Sequence, residues 1–528
     1  MATEETPLVS PHPEERALTW RVIAAILSGT IASFVAAADS TITSTLSSTI
    51  AGEFHSLAII SWLGAGYLIG QAATQPLTGK LSDIFGRKPS FIFATLVFTL
   101  GNLTCGFART RTMLILGRVI AGIGGGGCSS IATYISSDRI PPRYRGIWHS
   151  MSIIAFTGGM GCGAVVGGAV NDALGWRWAF IMLAPISVTA GTCMAIFLPQ
   201  EEMGNTSFRL RLRRIDYGGS VTLVSSLALF LIYVNSEERQ SIVPLFLAAL
   251  LFAIFLTIEL RFAKEPIIPL TVLGQPTVLA ACLCTAFMSM TIYTLMYYVP
   301  LYLQLRGHST SQTGVLLLPE PIGGGLGSFT VGLVTSLSGK YGIWKVNQPM
   351  CIVIGSVGIA TLSLHSPPVL AMIYQFVYGF GYGGLLTVLL LALLSAIPHE
   401  LQATSTSVLL TFRSIGPTIG LSVAGVLFRN RLNQPAADPN EQGQIALPNS
   451  TISYQQLHQF HADYNSDQFQ ARHMYALHGT FQLAAAFAIV GFTCAMFIKN
   501  HKLSSSLQKR ENTGPQAEND VAQEPEPV

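Results

Sequence analysis

The sequence predicts an all-α integral membrane protein, and three observations carry that prediction. Only 11% of the 528 residues are charged, while 50% are hydrophobic; soluble domains average about 25% charged. A water-facing surface cannot be covered with so little charge, and the mean hydropathy of +0.48 points to lipid as the solvent. The apolar residues fall into roughly fourteen runs, each near the ~20 residues that a helix needs to cross a bilayer core. Finally, the cations alternate between loops in the manner of membrane helices. Backbone groups in hydrocarbon must pair within their own segment, so such runs are read as helices.

The polar stretch 1–20 carries Glu4, Glu5, Glu14 and Glu15, the wrong flank for a cleavable signal peptide, so the first span is expected to act as the insertion signal. A first block, 21–200, holds six spans at 21–46, 58–78, 89–107, 112–136, 147–170 and 177–198. The segment 201–276 begins with the basic run Arg209, Arg211, Arg213, Arg214 and inserts two further spans, 217–234 and 242–262. A second block, 277–498, supplies spans at 277–303, 312–337, 346–364, 367–396, 404–428 and 477–498. Within it lies a long polar loop, 429–476, and a polar tail occupies 499–528. All eight cysteines fall inside spans, without zinc-ligand company.

With the N-terminus in the cytoplasm, Lys and Arg divide about 20 to 7 in favour of the cytoplasmic loops. The cytoplasmic set includes Arg87, Lys88, Arg139, Arg143 and Arg145; the other side holds Arg109, Arg111, Arg239 and Arg306. An even number of spans then returns the C-terminus to the cytoplasm. The loop 429–476 lies on the opposite side, where Asn449, in the sequence Asn-Ser-Thr, is a usable glycosylation acceptor.

An internal repeat is faintly visible. The stretch 79–88 after the second span carries Gly79, Asp83, Gly86, Arg87 and Lys88; the stretch 332–341 carries Gly332, Ser336, Gly339 and Lys340 at matching places. Such a recurrence is what two parallel repeats about an axis along the membrane normal produce. The first copy resembles the signature loop of the major facilitator superfamily at every fixed position. Arg118, Gly122, Gly124 and Gly125 resemble its fourth-span pattern, and Asp39, Thr41 and Ile42 resemble the first-span signature of its fourteen-span drug:proton antiporter branch. Within that branch the chain is similar to fungal multidrug efflux proteins and to fungal vacuolar basic amino acid transporters. The resemblance implies a major facilitator fold of two six-helix bundles plus two inserted helices. It further implies proton-coupled antiport of a small organic compound out of the cytosol, with basic amino acid uptake into the vacuole as the alternative. Gly159, Gly163, Gly167 and Gly168 match the fifth-span antiporter pattern, but Ala164 stands where that pattern has proline, which weakens the case for antiport specifically.

Charges inside the bilayer cost at least about 2.5–3.5 kcal/mol each and are therefore usually functional or paired. Asp39 reads either as a proton or cation site or as the structural partner of an arginine; Arg118 reads as a salt-bridge or relay residue. Glu320 lies between Pro319 and Pro321, which can break a span and expose carbonyls to a cavity. Arg413 is placed to neutralise an anion or Glu320. Glu259, near a span end, is expected to snorkel. Met288, Met290, Tyr293, Tyr297 and Tyr298 either line a cavity or face lipid, and the glycine-rich run 378–384 reads as close helix packing. In the signature loop, Asp83 is read as a helix cap and gate residue, with Arg87 and Lys88 on the positive side. The chain has no phosphate-binding Gly-x-x-x-x-Gly-Lys-Ser/Thr loop, which argues against ATP as the energy source. The partners expected are protons, a small-molecule substrate and the bilayer. Nucleic acid, metal and cofactor are not expected, nor is enzyme activity, and the chain is expected to act as a monomer in the plasma or vacuolar membrane.

Overall fold

A computed structural model describes residues 20–54, 58–140, 145–199, 217–235, 242–261, 273–338, 341–397, 399–432 and 466–499. Among these the regular elements are all helical. They run α1 (Trp20–Glu53), α2 (Ala58–Phe85), α3 (Arg87–Gly106), α4 (Arg111–Arg139), α5 (Arg145–Leu174), α6 (Trp176–Ile181) and α7 (Leu183–Phe197). Next come α8 (Tyr217–Asn235), α9 (Val243–Arg261), α10 (Pro276–Leu305), α11 (Thr310–Leu316) and α12 (Pro319–Ser338). The last four are α13 (Trp344–Ala360), α14 (Pro368–Ala396), α15 (His399–Leu432) and α16 (Ser466–Met496). Every predicted span falls on one helix or on two consecutive helices. Ten helical segments among the described residues are long and apolar enough to cross a membrane.

Two of the predicted spans are broken, and prolines explain both. Pro185 has no N–H for the carbonyl of Ile181, and the chain leaves α6 there before resuming in α7. Pro319 and Pro321 do the same between α11 and α12. One carbonyl freed at that break, on Leu316, accepts a hydrogen bond from Gln375 Nε2 of α14 at 3.3 Å. A neighbouring helix thus satisfies the backbone where the lipid could not. Three sharp reversals use glycines at positive φ: Gly86 (φ 93), Gly175 (φ 89) and Gly307 (φ 86), a region that side-chain-bearing residues enter only under strain.

Helices α1–α7 pack among themselves, chiefly α3 on α4, α2 on α4 and α1 on α5; α10–α16 pack chiefly as α12 on α14, α13 on α14 and α10 on α15 and α16. The bundles meet along two seams, α5 against α11 and α12, and α2 against α15. The inserted pair covers one of them: α8 lies against both α2 and α15, and α9 packs on α8. Ser226 Oγ donates to the Ala248 carbonyl between the inserted helices at 2.8 Å. The outer face of α9, with Phe246, Leu250, Phe252 and Ile254 exposed, has the character of a lipid-facing surface. Glu259 differs from expectation, because α9 buries it to 6% exposure instead of letting it snorkel.

The glycine-rich run 378–384 is close helix packing, as its sequence suggested. A Cβ on Gly379 or Gly383 would fall onto the carbonyls of Glu320 or Gly324, and one on Gly323 or Gly327 would fall onto those of Phe376 or Phe380. Glycines on both helices therefore let α12 and α14 approach at backbone distance. This close approach fixes Glu320 against α14.

Candidate functional site

The first constellation joins α1, α2, α4 and α6 inside the N-terminal bundle. Arg118 Nη1 donates to both carboxylate oxygens of Asp39, at 2.8 and 2.9 Å, and both side chains have 0% exposure. The guanidinium stacks over the Tyr67 ring at 4.6 Å and the Phe180 ring at 5.7 Å, and its Nε donates to the Leu63 carbonyl at 3.4 Å. Among the described residues its Nη2 has no hydrogen-bond partner. Of the two readings open for Asp39, the geometry is that of an arginine's partner. Opposite charge inside a low-dielectric interior, framed by aromatic faces, offsets much of the cost of burying either group.

Close packing of α1 on α5 supports this pair. A Cβ on Gly159, Gly163 or Gly167 would collide with Phe34, Ala38 or Ile42 respectively, so the glycines ride one face of α1 at matched four-residue spacing. Gly168 turns elsewhere: a Cβ there would meet Thr310 and Ser311 of α11. The Ala164 carbonyl also faces α11, beneath Gly314. The antiporter-like glycine face is thus divided between the bundle interior and the inter-bundle seam.

The second constellation lies between the bundles. Glu320, 7% exposed, opens α12, and its Oε2 accepts a hydrogen bond from the Tyr378 hydroxyl of α14 at 3.0 Å. Arg413 of α15 reaches across to α5, its guanidinium carbon 5.5 Å from the Phe156 ring centre. It makes no ion pair with Glu320, so the neutralisation suggested by sequence is not the arrangement found. Tyr293 of α10 lies within electrostatic reach of Glu320, Arg413 and Tyr382, and Ser289 shares a hydrogen bond with Tyr382 at 3.2 Å. Met288, Met290, Tyr297 and Tyr298 are buried, so this stretch of α10 faces protein and not lipid. Neither Phe156 nor the Tyr378 hydroxyl carries a functional motif in the sequence. Nothing in the sequence marks Phe156, because its nearness to the single cation Arg413 comes from tertiary packing, and Tyr378 stands in a glycine-rich run that reads as packing.

The signature stretch is more helical than expected. Gly79 and Asp83 lie within α2, which continues to Phe85, and the turn is the single residue Gly86. The apolar run ends near residue 78, but polar residues do not stop a helix whose backbone bonds persist into the headgroup zone. Arg87 ties three elements together: its Nε pairs with Asp138 at the end of α4 at 3.0 Å, its Nη1 donates to Ser82 Oγ of α2, and it stacks over Tyr134 at 5.2 Å. Lys88 occupies the first turn of α3. The side chain of Asp83 lies outside the described residues, as do Asn449, Gly339 and Lys340. Among the described residues no group of His, Cys, Asp or Glu is arranged to hold a metal ion, and the eight cysteines are free thiols.

Residues 29–421 match the profile of the Major Facilitator Superfamily. The chain belongs to the Major Facilitator Superfamily. It is a multi-pass membrane transporter that moves small molecules, not an enzyme. Among curated proteins it is 30% identical to "Multidrug resistance protein fnx1" of Schizosaccharomyces pombe, covering 96% of this chain and 99% of that one. It is 29% identical to "Vacuolar membrane amino acid uptake transporter fnx2" of the same yeast, over 94% and 88% of the two chains. A third relative, "Efflux pump FUS6" of Gibberella fujikuroi, is 26% identical over 96% and 94%. The facilitator fold is also seen in a bacterial homolog of the human lysosomal transporter Spinster, solved inward-facing and unoccupied. That structure has a TM-score of 0.61 at 14% identity, covering 90% of this chain and 98% of that one. The proton:xylose symporter XylE gives 0.57 at 13% identity, over 90% and 95%.

Proposed function

We propose that this facilitator is a proton-coupled antiporter that carries a small organic compound out of the cytosol, either from the cell or into the vacuole, as a monomer with both termini cytoplasmic. The observation that carries the reading is Glu320. It is a carboxylate removed from water at the seam between bundles, hydrogen-bonded to a neutral tyrosine hydroxyl and, among the described residues, to no cation. Asp39 cannot be neutralised without stranding Arg118 in the core, whereas Glu320 can take up and release a proton without breaking an ion pair. Proton and substrate then compete for one carboxylate, and rocking of one bundle against the other presents it to either side in turn. Tyr378, Tyr293, Tyr382 and Arg413 are the titratable and charged groups around Glu320, and His149 of α5 lies within electrostatic range of Arg413. The Asp39–Arg118 pair serves as the fixed ion pair of the N-terminal bundle and the signature stretch as a gate between α2, α3 and α4.

The test is transport in proteoliposomes with an imposed pH gradient. The wild type should drive uphill substrate movement, and Glu320→Gln should retain downhill exchange while losing the response to the gradient. Gradient-driven movement in Glu320→Gln at the wild-type rate would refute the assignment. If Asp39→Asn alone loses the response, coupling belongs to Asp39. A second reading, uptake of amino acids into the vacuole, is favoured by the name of the second yeast relative and by the presence of an acid able to hold an ammonium group.

A further inference from the structure

A carboxyl group and a guanidinium lie at the seam between the bundles, and neither is paired with the other. Glu320 has the Tyr378 hydroxyl as its partner; Arg413 has the face of Phe156. Arg413, Phe156 and Tyr293 sit near the middle of long helices yet stay half-buried. Since Arg413 points from one bundle to a ring of the other, that partial exposure belongs to an inter-bundle space and not to the lipid face. The two groups share one neighbourhood. Thr157, next to Phe156, lies against Gly324 and Gly325 of α12, and Gly161, one turn on, lies against Pro321 beside Glu320. Tyr293 of α10 lies within electrostatic range of both Glu320 and Arg413.

A guanidinium and a carboxylate left apart in a low-dielectric space are each under-compensated, which favours a ligand that supplies both missing countercharges. A dication would satisfy Glu320 while being repelled by Arg413, and an anion would meet the reverse. We infer that the transported compound is a zwitterion with an apolar or aromatic body, its ammonium group held by Glu320 and its carboxylate by Arg413, with the body against Tyr293, Tyr382 and Phe156. Arginine is suited to the second role because its planar fork binds a carboxylate bidentately. This inference rests on the same site as the proposed antiport and adds the charge class of its substrate.

The experiment uses the full chain, purified and reconstituted, with phenylalanine and the dipeptide Phe-Phe as zwitterionic probes. Their methyl esters serve as cation-only probes and their N-acetyl forms as anion-only probes. Binding is read by thermal stabilisation, and exchange by release of preloaded label. At least one zwitterion should bind tenfold or more tightly than both of its blocked forms. Arg413→Gln should bring the ester level with the parent, and Glu320→Gln should do so for the N-acetyl form. Glu320→Asp should keep most of the preference and Arg413→Lys, which keeps the charge without the planar fork, should keep part of it, which separates charge recognition from misfolding. Failure of both zwitterions to bind, tighter binding of an ester, or a preference untouched by Arg413→Gln would each overturn the inference. Proton coupling is read separately: preference for the zwitterion with no response to pH gradients would remove the antiport reading alone, and the reverse result would remove only this one.

Discussion

Arg118 of α4 donates from a single guanidinium nitrogen to both carboxylate oxygens of Asp39 in α1, at 2.8 and 2.9 Å, inside a bundle where neither side chain has measurable exposure. The relationship makes each residue the condition for burying the other. Asp39→Asn should therefore lower stability, since removing one partner of a buried pair typically costs about 3–5 kcal/mol. Thermal unfolding followed by size-exclusion chromatography in detergent should show a clear drop. Adding Arg118→Gln to Asp39→Asn should recover part of it. Wild-type stability in Asp39→Asn, with only pH dependence lost, would return Asp39 to the role of proton carrier.

The glycines of α5 separate packing from motion. Gly163→Ala puts a methyl group against the Ala38 backbone and the Thr41 hydroxyl within one bundle, and overpacking of this kind costs about 1–3 kcal/mol. Its expected signature is a lower unfolding temperature. Gly168→Ala instead meets Thr310 and Ser311 across the seam, so transport rate should fall more than stability. Identical profiles for the two variants would mean that the seam does not move during the cycle.

Much of this architecture was legible in sequence. Apolar runs of bilayer length are strong signals, and every predicted span proved helical. Pro319 and Pro321 announced the break in the tenth span because a missing N–H has the same consequence in any context. The pairing of Asp39 with Arg118 was only one of two open readings, since two residues 79 positions apart acquire their distance from tertiary packing alone. Arg413 turning to Phe156 instead of Glu320 was beyond reach for the same reason. At the signature stretch the two boundaries differ: hydropathy reports where lipid ends, whereas the helix ends only at Gly86, where φ becomes positive.

Arg87 holds the ends of α2 and α4 to the start of α3 through Ser82, Asp138 and Tyr134. Its pair with Asp138 is partly exposed, at 18% and 45%, so it contributes at most about 1 kcal/mol to stability. Arg87→Gln should leave unfolding temperature and membrane abundance close to wild type while reducing turnover. Asp83→Asn should behave likewise if the gate involves the whole signature. Unchanged transport kinetics in both would remove the stretch from the cycle.

Topology is tested independently of transport. Asn449 is expected on the non-cytoplasmic side, so glycosidase should shift the gel mobility of the expressed protein and Asn449→Gln should abolish the shift. Asn102, also in a sequon, is buried in α3 with its Nδ2 bonded to the Phe98 carbonyl at 3.2 Å and is inaccessible to glycosylation. Asn205, in another sequon within 201–276, is expected on the cytoplasmic side, and a glycan there would reverse the assignment of sides.

Polar contacts join the bundles at the end where α1 and α5 finish. Gln304 Nε2 of α10 donates to the Thr45 carbonyl at 3.1 Å, and its Oε1 accepts from Ser48; nearby, Asp172 of α5 accepts from the Ser311 backbone N–H at 3.3 Å. In an alternating-access cycle these bonds must break for this side to open. Each is worth about 1 kcal/mol net, so Gln304→Leu should raise the population open on this side about tenfold or more. The reporter is one cysteine at Thr45 in a background lacking the eight native cysteines. Thr45 is fully buried and contributes its backbone carbonyl to Gln304, so the substitution leaves that bond in place. A membrane-impermeant thiol reagent should label this position about tenfold faster with Gln304→Leu than without it, and Asp172→Asn should add to the effect. Equal labelling rates would mean that closure of this face is held by apolar packing, and Gln304 would then be a bystander to the conformational change.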